Sequence, residues 1–127
     1  MEYKIKTEER YTVFTLEEEN FNSLIAPEVK SELVLLADKN IKNLVMDLSE
    51  VKYVDSSGLS AILTADRLWK KIGTFVLAGA EQPAVKKLME ISRLDTILTM
   101  LPTVSEAVDY IFMEDIEREL NDEEDNN

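Results

Sequence analysis

Two short runs, Leu44-Val45-Met46-Asp47-Leu48 and Thr74-Phe75-Val76-Leu77-Ala78, are apolar at consecutive positions, Asp47 and Thr74 apart. Strands of this kind are covered on both faces and belong to sheets flanked by helices. The intervening stretches carry helical spacing. Leu24, Ile25, Val29, Leu33, Leu36 and Ala37 predict one helix, with Pro27 in its first turn and Asn40 closing it. Leu59, Ile62, Leu63, Trp69 and Ile72 predict a second, ending at Gly73, a residue type suited to a C-cap. Pro83 opens a third through Val85, Leu88, Met89 and Ile91. Thr96-Ile97-Leu98 reads as a weaker strand. Val104, Ala107, Val108, Ile111 and Phe112 mark a last amphipathic helix that can continue to Ile116 and Leu120. Ahead of all this, Tyr3–Ile5 and Tyr11–Leu16 read as two short strands split by Thr7-Glu8-Glu9-Arg10. Strands alternating with helices after an N-terminal strand pair predict an α/β domain with a mostly parallel mixed sheet.

At 127 residues the chain suits one domain, and 45% hydrophobic residues supply one ordinary core. It has no cysteine and no histidine. Disulfides, thiolate sites and the commonest transition-metal ligand are thereby excluded, along with the usual general base. No metal, no cofactor and no catalytic residue is expected, and an enzyme here would have to rely on a carboxylate, Ser or Lys. The net charge of -12 disfavours nucleic acid and anionic lipid as partners. Much of it sits at the end, where Glu114, Asp115, Glu117, Glu119, Asp122, Glu123, Glu124 and Asp125 are opposed only by Arg118. Residues 1–113 are expected to form the domain and 114–127 an acidic helix end and solvated, partly disordered tail. Met1-Glu2-Tyr3-Lys4-Ile5 has no signal-peptide character and no run is long enough to span a membrane, so a cytoplasmic location without membrane insertion is expected.

One segment carries more chemistry than its structure requires. Asp55-Ser56-Ser57-Gly58 lies between a buried strand and an amphipathic helix, at the side of an open α/β sheet where ligands and partners gather. Asp and Ser are good N-caps, and Gly58 allows close backbone approach, so capping explains much of it. Adjacent serines at a helix start also suit phosphorylation, which adds about -1.5 to -2 charges. The macrodipole and the free amides of the first turn favour that charge, while an interface built around a neutral hydroxyl would lose affinity.

Val45-Met46-Asp47-Leu48 followed by Val54-Asp55-Ser56-Ser57-Gly58-Leu59 resembles the core motif of the STAS domain, found in bacterial anti-sigma factor antagonists and sulphate-transporter tails. Phe75-Val76-Leu77-Ala78-Gly79, Pro83-Ala84-Val85, Leu94 and Ser105-Glu106-Ala107 are similar to the family's second half, and the resemblance covers roughly residues 1 to 113. It implies a single STAS-like domain, with four to five strands and about four helices. It also implies an anti-sigma factor antagonist, in which the second serine of the motif, here Ser57, is phosphorylated by an anti-sigma factor that is itself a serine kinase. The unmodified form sequesters that partner, phosphorylation releases it, and a serine phosphatase resets the cycle. Asp55, Ser56, Ser57 and Gly58 are then the partner-binding segment, with any ATP held by the kinase. The alternative within the family is a constitutive accessory subunit of a lipid-transport or sensory complex. One departure is Glu17-Glu18-Glu19-Asn20, where many members have a Gly-containing turn into a short edge segment.

Other candidates carry less. Asp47 resembles the phospho-accepting Asp of receiver domains, but the acidic pair and the Lys such a site needs are missing after the neighbouring strands, so local capping or pairing is expected. Gly58, Gly73 and Gly79 form neither a Walker loop nor a dinucleotide fingerprint. Trp69 is expected to pack in or at the border of the core. Lys70-Lys71 and Lys86-Lys87 are expected to be solvated helix faces.

Overall fold

Strands β1 (Tyr3–Thr7) and β2 (Thr12–Leu16) pair antiparallel, with Tyr3 opposite Leu16 and Thr7 opposite Thr12. The computed structural model describes residues 1–125. A two-residue strand β3 (Asn20–Phe21) leads to helix α1 (Ala26–Asp38), then β4 (Asn43–Asp47), β5 (Tyr53–Val54), helix α2 (Ser56–Lys70) and β6 (Thr74–Ala78). Helix α3 (Pro83–Ile91), a 3-10 turn (Leu94–Thr96), β7 (Met100–Leu101) and helix α4 (Val104–Asp125) complete the order. The main sheet runs β1-β2-β4-β6-β7, parallel except for β1. Five strands in a mixed sheet with four helices, among the described residues, is the architecture expected.

Alternation along the strands sorts the two faces. Val13, Val45 and Val76 stand in register across three strands and meet Ala107 and Ile111 of α4. Phe14, Met46 and Leu77, also in register, face the other way into a larger core built with α1, α2 and α3. Both β4 and β6 are therefore covered on both sides, as their unbroken apolar runs require. Trp69 is wholly buried there, and its indole N–H donates to the Ile41 carbonyl at 3.0 Å, so it is a core residue. Asp47 accepts from the Ser49 N–H at 3.0 Å, which is local capping.

Helix α1 starts at Ala26, with Pro27 in its first turn, and Asn40 at φ 60° ends the segment in the left-handed region that Asn tolerates. Leu24 departs from expectation. It sits in the turn before the helix, where its own N–H bonds the Asn22 side chain, and it is 86% exposed. Helix α2 ends at Lys70, three residues before Gly73. The Gly73 N–H bonds the Trp69 carbonyl at 2.7 Å, but the glycine has no positive φ. A Cβ there would fall on the Lys42 carbonyl oxygen, so close approach to the chain entering β4 is what demands Gly73. Ile72 lies outside the helix and is exposed.

The strand expected at Thr96–Leu98 does not form. Leu94 and Leu98 are both buried and are joined by a bond from the Leu98 N–H to the Leu94 carbonyl at 2.8 Å, while Ile97 points outward. Four-residue spacing of the buried pair coils the chain, and the strand comes later, at Met100–Leu101.

Helix α4 is capped by Thr103, whose Oγ1 accepts from the Glu106 N–H at 3.1 Å. It continues without a break through residue 113 to Asp125. Of the tail expected over 114–127, residues 126 and 127 lie outside the described ones. Asp115, counted among the acidic residues of that tail, is 3% exposed. It accepts from Asn43 Nδ2 at 3.2 Å and from Arg118 at 2.9 Å, with Arg10 at 3.7 Å and Lys42 at 3.9 Å. Asn43 in turn donates to the Arg10 carbonyl and accepts from the Thr74 N–H. Arg118 also bonds the Thr74 hydroxyl. No described helix is long and apolar enough to cross a membrane.

Candidate functional site

The serine pair stands at the carboxyl end of the parallel strands, where the chain leaves β5 and enters α2. Residues Asn20–Phe21 pair in parallel with Tyr53–Val54, and the Glu19 carbonyl accepts from the N–H groups of Lys52 and Tyr53. Glu17-Glu18-Glu19-Asn20 therefore leads into a short edge segment even without a glycine. That ribbon is the floor on which α2 begins. The Asp55 N–H donates to the Phe21 carbonyl at 3.2 Å. A Cβ on Gly58 would lie 2.5 Å from the same carbonyl oxygen and 2.7 Å from Val54 Cγ1, so only glycine fits against the ribbon. Gly58 is itself buried, and it shapes the site from below.

Asp55 is extended, with φ -103° and ψ -173°, and caps the helix. Its Oδ1 accepts from the Ser57 N–H at 2.9 Å and the Gly58 N–H at 3.1 Å, and its carbonyl accepts from the Leu59 N–H at 3.0 Å. The cap thus needs neither serine hydroxyl. It also engages two of the first-turn amides that the sequence left free for an anion. Ser56 is exposed and Ser57 half-buried. Among the described residues the Ser57 hydroxyl makes no hydrogen bond to the protein.

Ser57 lines an open depression of about 270 Å³ between the starts of α1 and α2, with Ser23, Pro27, Lys30, Ser56 and Ser60. Lys30 spans it, its ammonium donating to Ser60 Oγ at 2.9 Å. Leu24, next to Ser23, and Tyr53, two residues before Asp55, are 86% and 60% exposed. Asp55, Ser56, Ser57 and Gly58, consecutive in the sequence, lie in one turn at the start of α2. Sequence reasoning missed Lys30, which reaches the site through the packing of α1 on α2. The one local signal was Pro27, which sets where α1 begins and hence which side Lys30 occupies.

A family model, the STAS domain, matches residues 2–107. The chain belongs to the STAS domain family. BtrV of Bordetella bronchiseptica, named as an anti-sigma factor antagonist, is 28% identical over 71 residues, 56% of this chain and 61% of BtrV. The match thus spans less than two thirds of BtrV. Among solved structures, a serine-to-glutamate variant of RsbS from Moorella thermoacetica superposes with a TM-score of 0.73 at 24% identity, covering 93% of this chain and 99% of that one. SpoIIAA of Bacillus in its phosphorylated form gives 0.66 at 16% identity, over 87% and 99%. These structures share the fold of this chain, and the match to the family model includes the whole segment from Asp55 to Gly58.

Proposed function

We propose that this STAS domain is an anti-sigma factor antagonist, a phospho-regulated protein-binding module and not an enzyme. Unmodified, it sequesters a cytoplasmic anti-sigma factor that is also a serine kinase. Phosphorylation of Ser57 releases that partner, and a serine phosphatase restores binding. The observation that carries the reading is Ser57: it is half-buried, it lines an open hollow with Lys30 and Ser60, and its hydroxyl makes no hydrogen bond to the protein among the described residues. A hydroxyl the fold does not use can be modified without dismantling the fold. BtrV's name points the same way, as does the solution of SpoIIAA in a phosphorylated form.

A dianion in a contact made for a neutral hydroxyl adds bulk and a large desolvation cost that the partner's surface is not built to offset. A loss of about 3 kcal/mol of binding is more than a hundredfold in affinity. The test takes the anti-sigma factor encoded beside this chain or captured with it. Ser57→Asp is expected to abolish binding with native circular dichroism, and Ser57→Ala to keep binding while resisting release by the kinase and ATP. Wild-type affinity in both variants, with release by ATP unchanged in Ser57→Ala, would sink the reading.

One observation favours the constitutive-subunit reading. Phe112, Ile116 and Leu120 form an exposed stripe along α4, and the first two line a groove of about 550 Å³ with Tyr11. Stable co-purification with a membrane ATPase or a sensory complex, with no phosphoserine on the chain, would select it.

A further inference from the structure

The cap at Asp55 creates an electrostatic problem for the proposed switch. The N–H groups of Ser57 and Gly58 already serve the Asp55 carboxylate, and those of Asp55 and Leu59 serve backbone carbonyls. A phosphoryl group on Ser57 would meet an exposed carboxylate at the helix mouth with most first-turn donors committed. Backbone and dipole alone do not offset that repulsion, because the cap carboxylate is there to use them.

The missing charge is Lys30. Ser57 and Ser60 are three residues apart on α2, so they lie on one face with Cβ atoms about 5–6 Å apart. The Lys30 ammonium is 2.9 Å from the Ser60 hydroxyl, and all three residues line the same hollow. Its flexible four-carbon stem lets it shift by one helical turn. The other charges nearby do not compete for it. Glu28 and Glu32 are each two positions from Lys30 and so lie on the far side of α1, and Glu28 is 4.0 Å from the N-terminal ammonium. Asp55 is the only carboxylate in the Asp55–Gly58 turn itself.

Resting on the reading that Ser57 is the modified residue, we infer that Lys30 is the cation that receives the Ser57 phosphoryl group, exchanging the Ser60 hydroxyl for it. A hydrogen bond between two charged groups outweighs one to a neutral hydroxyl, so the exchange runs toward the phosphate. The partner then loses more than a neutral serine. Before modification the hollow presents Lys30 and Asp55, whose charges balance. Afterwards the ammonium is neutralised from within and the mouth carries about two net negative charges. Lys30 is thus a positioning residue that holds the phosphoryl group at the helix mouth and withdraws its own ammonium from the partner.

The test installs phosphoserine at position 57 of the full chain by genetic-code expansion and follows its ³¹P shift against pH. A cation favours the dianion, so Lys30 should hold the second ionisation below that of Lys30→Met by about one pH unit, from a free-phosphoserine value of about 6. Lys30→Arg should restore the lower value, and Lys86→Met should leave it unchanged. A merely structural lysine would not move this titration. Identical curves for Lys30 and for both Lys30→Met and Lys30→Gln would overturn the inference, and having two neutral variants guards against one that folds poorly. Since the phosphoserine is incorporated during translation, the curves do not depend on a kinase reaching Ser57 in the cell. Failure of the switch itself would appear instead as wild-type partner binding by Ser57→Asp.

Discussion

The two ends of the parallel sheet each carry an aspartate and a glycine, and they use them in opposite ways. At the amino end Asp115 is 3% exposed and tied to Asn43 and Arg118, with Arg10 and Lys42 beside it, while Gly73 is pressed against Lys42. At the carboxyl end Asp55 is exposed and holds only the backbone of its own helix, while Gly58 is pressed against Phe21. The first arrangement fastens α4 to the starts of β4 and β6. The second frames a turn whose two hydroxyls are left over. A carboxylate surrounded by side chains from other elements is part of the fold's cohesion. One that serves only local amides leaves its neighbours free to be modified.

Three substitutions can break or sharpen this contrast. The largest effect is expected from Gly73→Ala, because the new methyl meets a backbone carbonyl that cannot step aside. A loss of about 3 kcal/mol in urea unfolding is the expectation, and a loss under 0.5 kcal/mol would mean that the chain entering β4 is not held. Next comes Asp115→Ala, which strips charged hydrogen bonds from a buried site and leaves one Asn43 side-chain N–H without its partner. Its cost is expected at about 2 kcal/mol, less than for a fully buried ion pair because Arg10, Lys42 and Arg118 can return to water. Thermal melting would read it, and proteolysis should show α4 opening first. The smallest is Ser57→Ala, expected to change stability by no more than about 0.5 kcal/mol. A larger loss would make the serine part of the cap and erase the difference between the two ends.

Legibility followed the range of the interactions. The strands β4 and β6 and the four helices could be read because their apolar spacing is local. Even there, Thr96–Leu98 misled: Ile97 and Leu98 suggested extension, but burial of Leu94 and Leu98 together required a turn of helix. The turn from Asp55 to Gly58 was legible as chemistry, since capping uses side chains one to three residues away. Lys30 was not, because it reaches Ser60 across thirty residues through the packing of α1 on α2. Asp115 looked like one of many tail carboxylates, and only its meeting with Asn43, 72 residues away, sets it apart.

The sequence alone determined the order of the four helices and the longer strands, the STAS-type turn and the absence of the side chains most enzymes use, because each follows from residue type and near-neighbour spacing. The tertiary structure decided which charges are buried and which are left exposed. That depends on what distant segments place around each group, and a carboxylate or a lysine carries no mark of its future neighbours in the chain itself.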